Sequence, residues 1–463
     1  MNELEALSPL DGRYRKYVEP LAKIFSEKGL MQHRVFVEGE YLIALSENPK
    51  TDLRIFSEEE KKLIKDLSDL SLKDAEIIKA IETKGYGELK PTRHDVKAVE
   101  YFIKLKLGNT SLRDSVEWVH FALTSEDVNN LAYALMLSTG VSDIIAPAVE
   151  KIKQRLNILS KENKDVPMLA RTHGQPASPT TFGKEFKVFY SRLKRQLELL
   201  AGHSIQVKMN GATGNYNAHH IAYPNINWAV FTKEFIEILN QQRQIKLVPN
   251  LMTTQIEPHD TYAELFAIIS RINVILLDFA QDIWRYISDD WIQQKAIESE
   301  VGSSTMPNKI NPIDFENAEG NLGEANKLFE YFSAKLPISR LQRDLSDSTV
   351  ERNFGVSLGH CLVAYKSLLR GLDKITVNKV GVIEALENHP EVISEAIQTV
   401  LRREDIEAPY EQLKVLTRGR KITIEDLSKF IDSLKVSDKV KNELKQIAPI
   451  NYTGIAELLV DME

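Results

Sequence analysis

The chain has 463 residues, 43% hydrophobic and 27% charged, which describes a soluble globular protein and excludes a disordered polyelectrolyte. That length exceeds one ordinary core and predicts roughly three domains. Its 59 Lys and Arg are outnumbered by 66 Asp and Glu, for a net charge of −7, and they are dispersed. No nucleic-acid footprint follows from that balance, so an anionic ligand has to be met by a local cluster.

In chain order, Met1 to Glu5 lacks the basic-then-apolar pattern of a signal peptide. The most apolar run, Ile272 to Ala280, is about half a membrane span and contains Asp278. With a single cysteine, Cys361, in an apolar setting, these features predict a reducing, cytoplasmic location without a membrane partner. Residues 1–112 read as an N-terminal helical domain of short helices and loops. Within it, Ser8-Pro9-Leu10-Asp11-Gly12-Arg13-Tyr14 is turn-rich, with Arg13 and Tyr14 presented, and taken alone it also reads as a solvated terminus. Thr92-Arg93-His94-Asp95-Val96 sets a histidine beside a carboxylate, a pairing that is often structural.

Residues 113–365 read as a central long-helix bundle. Thr124 and Ser125 start a helix, with Asp127 placed for a capping box, and such a helix start is suited to a carboxylate or simply to a cap. Helical texture covers 143–164, 226–245, 313–335 and 354–375, while a helix from Ser178 has Pro179 in its first turn and Gly202 at its end. Between these, Thr172-His173-Gly174 lies in a loop pinned by Pro167, Pro176 and Pro179, where a histidine can work as acid or base. Strand evidence is confined to an excursion around Met209-Asn210-Gly211. From Asp260, placed to cap a helix, to Val301 there is neither Gly nor Pro, and Leu265, Ile269, Ile272, Leu276, Phe279 and Ile283 share one face. An unbroken helix of forty residues would be about 60 Å long.

The run Gly302-Ser303-Ser304-Thr305-Met306-Pro307-Asn308-Lys309-Ile310-Asn311-Pro312 follows. It combines backbone freedom, hydroxyls, an ammonium and two prolines that forbid helix, so it can turn several N–H groups toward an anion. Next, Arg340, Arg343 and Arg352 with Ser346, Ser348 and Thr349 lie within fifteen residues and could grip a phosphate. Arg343 and Arg352 fall on opposite sides of a continuous helix, so convergence requires a break at 344–348; otherwise the segment is a helix laced with pairs such as Arg343–Asp347. Residues 366–463 form a C-terminal helical domain, broken near Arg418-Gly419-Arg420.

The 302–312 run resembles the signature loop of the fumarase/aspartase superfamily, and the extension Ile313 to Asn317 is most similar to the bacterial-type adenylosuccinate lyase family. The other polar islands resemble that family's motifs in order, from Ser8 to Pro409-Tyr410-Glu411. The resemblance implies an all-α fold of three helical domains whose central bundle forms a homotetramer, with active sites shared between subunits. It implies β-elimination of fumarate from adenylosuccinate and from the succinylated aminoimidazole carboxamide ribotide, without metal or cofactor.

By the same resemblance Ser303 is the general base, His173 the general acid, and Lys309 and Asn311 stabilise the aci-carboxylate. Thr124, Ser125 and Gln255 hold the succinyl carboxylates. His94, which joins the catalytic group, binds on the nucleotide side with Arg13, Tyr14 and Asp95, while Arg343, Ser348 and Arg352 take the phosphate. Arg93, Thr172, Ser304, Asn317 and Thr349 are further substrate contacts. A serine base requires desolvation, which predicts a closing loop over roughly 298–310. Arg93 stands where a smaller amide is more familiar in the family, and Asn308 where His is common. Argininosuccinate lyase, with no phosphate to bind, and a non-catalytic helical scaffold are the competing readings.

Overall fold

A computed structural model describes residues 2–241, 243–295, 306, 309–417 and 422–462. The fold is all-helical with long bundle helices, and among the described residues three two-stranded sheets occur. The chain divides into two compact units. One comprises Met1–Val149, Gln196–Val274 and Gly320–Lys366; the other comprises Glu150–Arg195, Ile275–Glu319 and Ser367–Glu463.

In the first unit the expected helix start at Thr124–Ser125 is present. Helix Ser125–Gly140 passes through one π turn, Val141–Ile145, into Ala146–Glu162. This 38-residue stretch is long and apolar enough to cross a membrane by composition, yet 72% of its most apolar window is buried inside the fold. Helix Glu27–Glu47 packs on it and starts at Ser26, whose hydroxyl accepts the Gly29 N–H at 3.2 Å. Phe266, Phe329, Phe332 and Phe354 form an aromatic core with ring centroids 5.1–6.3 Å apart. Cys361 is buried beside Asn273, whose amide reaches Asn326 at 2.9 Å and accepts from the Tyr365 hydroxyl at 2.5 Å.

Helices Ile313–Lys335 and Phe354–Lys374 fall where periodicity predicts them. Three expectations differ. The long helix runs only from Asp260 to Ser288, 29 residues, because Asp290 adopts φ 57° and closes a Schellman motif: Trp291 N–H donates to Tyr286 at 2.9 Å and Asp290 N–H to Ile287 at 3.1 Å. An aspartate thus does what a glycine usually does, and the chain turns into strand Ile292–Gln294.

Ser178 and Pro179 do not open a helix; they lie in strand Gln175–Thr181, paired antiparallel with Pro167–Thr172. Thr181 is the cap, accepting the Lys184 N–H at 3.2 Å, and the helix is Phe182–Ala201. The excursion near Met209 is strand Ser204–Val207, parallel to Lys246–Pro249, and that second strand shortens the 226–245 helix to Trp228–Leu239.

Candidate active site

The first unit assembles most of the nucleotide-side candidates. Thr124 N–H donates to Asp127 at 2.9 Å, so the Ser125 helix start is fixed by its own third residue. Asp127 is itself fully buried: Lys208 Nζ pairs with it at 2.7 Å, and the Asn210 and Gly211 N–H groups donate to it at 3.1 and 3.2 Å. Lys208 escaped sequence reasoning. Its one signal was its place beside the Met209-Asn210-Gly211 excursion, which showed an irregular backbone but no ion pair.

Ser125 Oγ lies 3.3 Å from His94 Nε2. His94 caps helix Asp95–Leu107, its Nδ1 accepting the Lys97 N–H at 3.3 Å. The helix cap turns Nδ1 toward its own helix, 3.7 Å from Asp95 as well, and leaves Nε2 as the ring nitrogen that faces Ser125. The adjacent Asp95 accepts from Arg34 at 2.8 Å and from Arg352 at 2.9 Å. Burial alone would raise this carboxyl, but the two guanidiniums and the Val96 N–H hold it down at about 2. Arg34 is almost fully buried and is anchored by Asn129 at 2.9 Å, while Arg352 also pairs with Glu27 at 2.9 Å.

Arg343 precedes helix Ser346–Glu351, so the break required in the arginine segment exists and the continuous laced helix does not. Its guanidinium lies 3.0 Å from Glu126, 3.6 Å from Asp347 and 3.4 Å from the Gln255 Oε1. Gln255 is held in turn by the Ala212 carbonyl at 3.0 Å and by the Gln342 carbonyl at 3.3 Å. The two arginines thus rest on separate carboxylates, Arg343 on Glu126 and Asp347, Arg352 on Asp95 and Glu27. Between them, Ser348 N–H donates to Asp347 at 2.6 Å, and Thr349 is exposed. Arg13 is exposed, and Tyr14 is half-buried with its ring 6.4 Å from Tyr17. Arg93 adopts φ 51°, a left-handed backbone for which a small amide is better suited.

Sequence reasoning also missed the acids behind Arg343. Glu126, His259 and Glu351 are buried, with ligand atoms within 4.8 Å of one another. Burial raises Glu126, to about 7, and raises Glu351 well above the carboxylate range, with the neighbouring acids pushing both the same way. Burial lowers His259 to about 3. The donor types would suit a metal, but the Arg343 guanidinium already supplies a cation at ion-pair distance from Glu126.

The second unit holds the remaining candidates. Thr172 ends strand Pro167–Thr172, and His173 and Gly174, at φ 54° and 74°, form the two-residue tip of the hairpin, pairing Thr172 with Gln175. The His173 side chain is exposed on a turn whose backbone is fixed by strand pairing. Lys309 N–H donates to the Met306 carbonyl at 3.1 Å, the Ile310 carbonyl accepts from Gln294 at 3.0 Å, and Asn311 is half-buried. Asn317 accepts from the Ser367 hydroxyl at 2.8 Å. Ser303, Ser304, Asn308 and most of the proposed closing loop, 298–305 and 307–308, lie outside the described residues.

Residues 12–326 match a family described as lyase, and residues 339–453 match the adenylosuccinate lyase C-terminal family. The chain is 48% identical to adenylosuccinate lyase of Haemophilus influenzae, across 100% of this chain and 99% of that protein. It is 48% identical to the same enzyme of Legionella pneumophila strain Corby, with 99% of each covered, and 46% identical to that of Escherichia coli K12, with 100% and 99% covered. Two solved structures share the fold at 19% identity: a fumarate lyase from Mesorhizobium sp. BNC1, TM-score 0.74 over 96% of this chain and 97% of that one, and a 3-carboxy-cis,cis-muconate lactonizing enzyme from Pseudomonas putida, TM-score 0.72 over 96% of each.

Proposed function

The chain belongs to the adenylosuccinate lyase family, and from that premise we propose how its residues release fumarate from adenylosuccinate to leave AMP. End-to-end identity of 46–48% to three adenylosuccinate lyases, with the matching C-terminal family, carries the activity. The succinylated aminoimidazole carboxamide ribotide carries the same N-succinyl group, there on a carboxamide nitrogen, and the same ribose phosphate, so one site serves both.

In the first step Ser303, as its alkoxide, takes a proton from the succinyl methylene carbon. The electron pair enters the neighbouring carboxylate as an aci-carboxylate, a dianionic centre whose main need is electrostatic stabilisation. Lys309, Asn311 and the N–H groups of the 302–311 loop supply it. In the second step the pair returns to form the fumarate double bond as the carbon–nitrogen bond breaks, and His173 gives its proton to the departing nitrogen. A serine base is effective only when desolvated beside a cation, which is the role of loop closure.

Thr124, Ser125 and Gln255 hold the succinyl carboxylates; His94, whose Nε2 lies 3.3 Å from the Ser125 hydroxyl, binds beside them on the nucleotide side. Arg343, Ser348 and Arg352 take the phosphate. Arg13, Tyr14, Arg93, Asp95, Thr172, Ser304, Asn317 and Thr349 complete the contacts. The family resemblance supports a homotetramer that shares its active sites between subunits. A monomer active by sedimentation and assay together would contradict that assembly.

The deciding experiment is an ultraviolet assay with adenylosuccinate beside a fumarate-release assay with argininosuccinate. Turnover of adenylosuccinate alone is expected. Turnover of argininosuccinate alone would transfer the chain to the other lyase and remove the phosphate role of Arg343. Silence with both would leave a helical scaffold.

A further inference from the structure

Arg343 has three acidic neighbours and only one positive charge to share among them. Glu126 lies 3.0 Å away and Asp347 3.6 Å away, while Glu351 stands with Glu126 in the same buried cluster. All three acids are buried, and Arg343 itself is only 15% exposed. Glu126 is met by the Arg343 guanidinium and the Asn129 amide, whereas Glu351 Oε1 has no hydrogen-bond partner among the described residues and Asp347 Oδ2 has only the 3.6 Å contact to Arg343. The other nearby cations pair with different acids, Lys208 with Asp127 at 2.7 Å and Arg34 with Asp95 at 2.8 Å, and from there pull Glu126 and Glu351 downward less than burial pushes them up. His259 and Tyr262, from the start of the long helix, and Tyr133, from the Ser125 helix, add no charge near neutral pH.

Three ionised acids around one guanidinium would leave a net buried charge of about −2, which a low-dielectric interior does not tolerate. Protons therefore reside on this cluster. The geometry points to Glu126, seconded by Glu351, as a positioning residue that is only partly protonated in the free protein and gains a proton when the nucleotide phosphate takes over the Arg343 guanidinium, making phosphate binding a proton-uptake step. This rests on Arg343 being a phosphate ligand. Burial and the neighbouring acids push both carboxyls upward, in the direction the step requires. A phosphate dianion arriving at Arg343 raises them further, and the proton comes from solvent. Linkage then makes the affinity fall as pH rises past neutrality.

Calorimetry tests this on the full-length protein with AMP, at about pH 7.5 in two buffers of different ionisation enthalpy, with adenosine as the ligand without phosphate. The phosphate's own second pKa is near 6, so on binding a guanidinium it takes up no proton at that pH. Net uptake with AMP beyond that with adenosine is expected, with Kd rising several-fold between about pH 6.5 and about pH 8.5 and never more than tenfold per unit. Glu126→Gln, which copies the protonated acid, should retain AMP binding and flatten that rise, a response that a merely structural glutamate would not give. Glu351→Gln should flatten it in part.

Zero uptake in the native protein overturns the proposal, as does an undiminished pH dependence in Glu126→Gln. The phosphate reading fails separately, if Arg343→Lys binds AMP and adenosine as the native protein does. Should Glu126→Gln not fold, the native AMP-minus-adenosine uptake decides alone.

Discussion

The arginine frame of the first unit and the His173 hairpin of the second organise polar groups by opposite means. In the frame, side chains fix one another: Arg34 and Arg352 share Asp95, and Arg343 is shared by Glu126, Asp347 and Gln255. At the hairpin the backbone does the fixing, through strand pairing and two left-handed residues, and the His173 side chain is left exposed. Binding a dianion requires charge that is already desolvated and paired, whereas delivering a proton requires a ring that the departing group can reach. Side chains of the frame should therefore carry stability, and the side chain at the hairpin tip should carry rate.

The largest expected effect tests the hairpin half. His173→Ala should lower kcat by about 10²–10⁴-fold, the range for losing a general acid, with unfolding unchanged. A kcat within a few-fold of native would place the acid elsewhere. The frame half is tested by Asp95→Asn, which leaves two guanidiniums without their shared carboxylate. A loss of about 1–3 kcal/mol in urea unfolding is expected, below the full figure for a buried pair because Asp95 is partly exposed. Its sign with pH is fixed. A carboxyl held at about 2 in the folded state contributes stability above its unfolded value near 4, and that contribution fades as pH falls toward 2. Glu126, raised to about 7, acts oppositely: its own contribution should decline as pH climbs from the ordinary carboxylate range to about 7, read as the stability difference between the native protein and Glu126→Gln. A native-minus-Glu126→Gln difference that is flat over that range would break the comparison on the frame side.

Much of this organisation was legible in the chain because its signals are local. The Thr124 cap and the helices at 313–335 and 354–374 depend on neighbouring residues and appear as read, while the arginine segment, open between a break and a laced helix, has the break. What was not legible depends on partners distant in sequence. Nothing near Glu126 announces Arg343, and nothing near Asp127 announces Lys208, since a buried pair is visible only once the chain has folded. The hairpin was misread for a different reason. Ser178 and Pro179 have the composition of a helix start, and only strand pairing shows that Thr181 caps the helix instead. Likewise Asp290 ends the long helix by a backbone conformation that its residue type does not demand.

Smaller effects separate the two mechanisms by backbone chemistry alone. Gly174 sits at φ 74° with nothing within 4 Å of an added Cβ, so Gly174→Ala meets no clash and costs only the left-handed conformation, about 1 kcal/mol. If the hairpin fixes the His173 ring through its backbone, kcat should fall a few-fold with that small loss. An unchanged kcat would show that the ring is positioned by something other than the turn.

Arg93 supplies the counterpart on the frame side and the smallest change. It too is left-handed, at φ 51°, beside His94, its N–H donating to Glu82 at 2.9 Å and its side chain exposed. Asn tolerates that region better than a long side chain, so Arg93→Asn should stabilise the fold by about 0.5 kcal/mol. The same substitution removes a positive charge next to His94 and Asp95. If the frame binds through Arg343 and Arg352, as its ion pairs argue, the KM for adenylosuccinate should shift by less than about threefold. A tenfold rise would mean that Arg93 reaches the substrate itself, and that the frame includes an exposed side chain held only by its backbone, as the hairpin does.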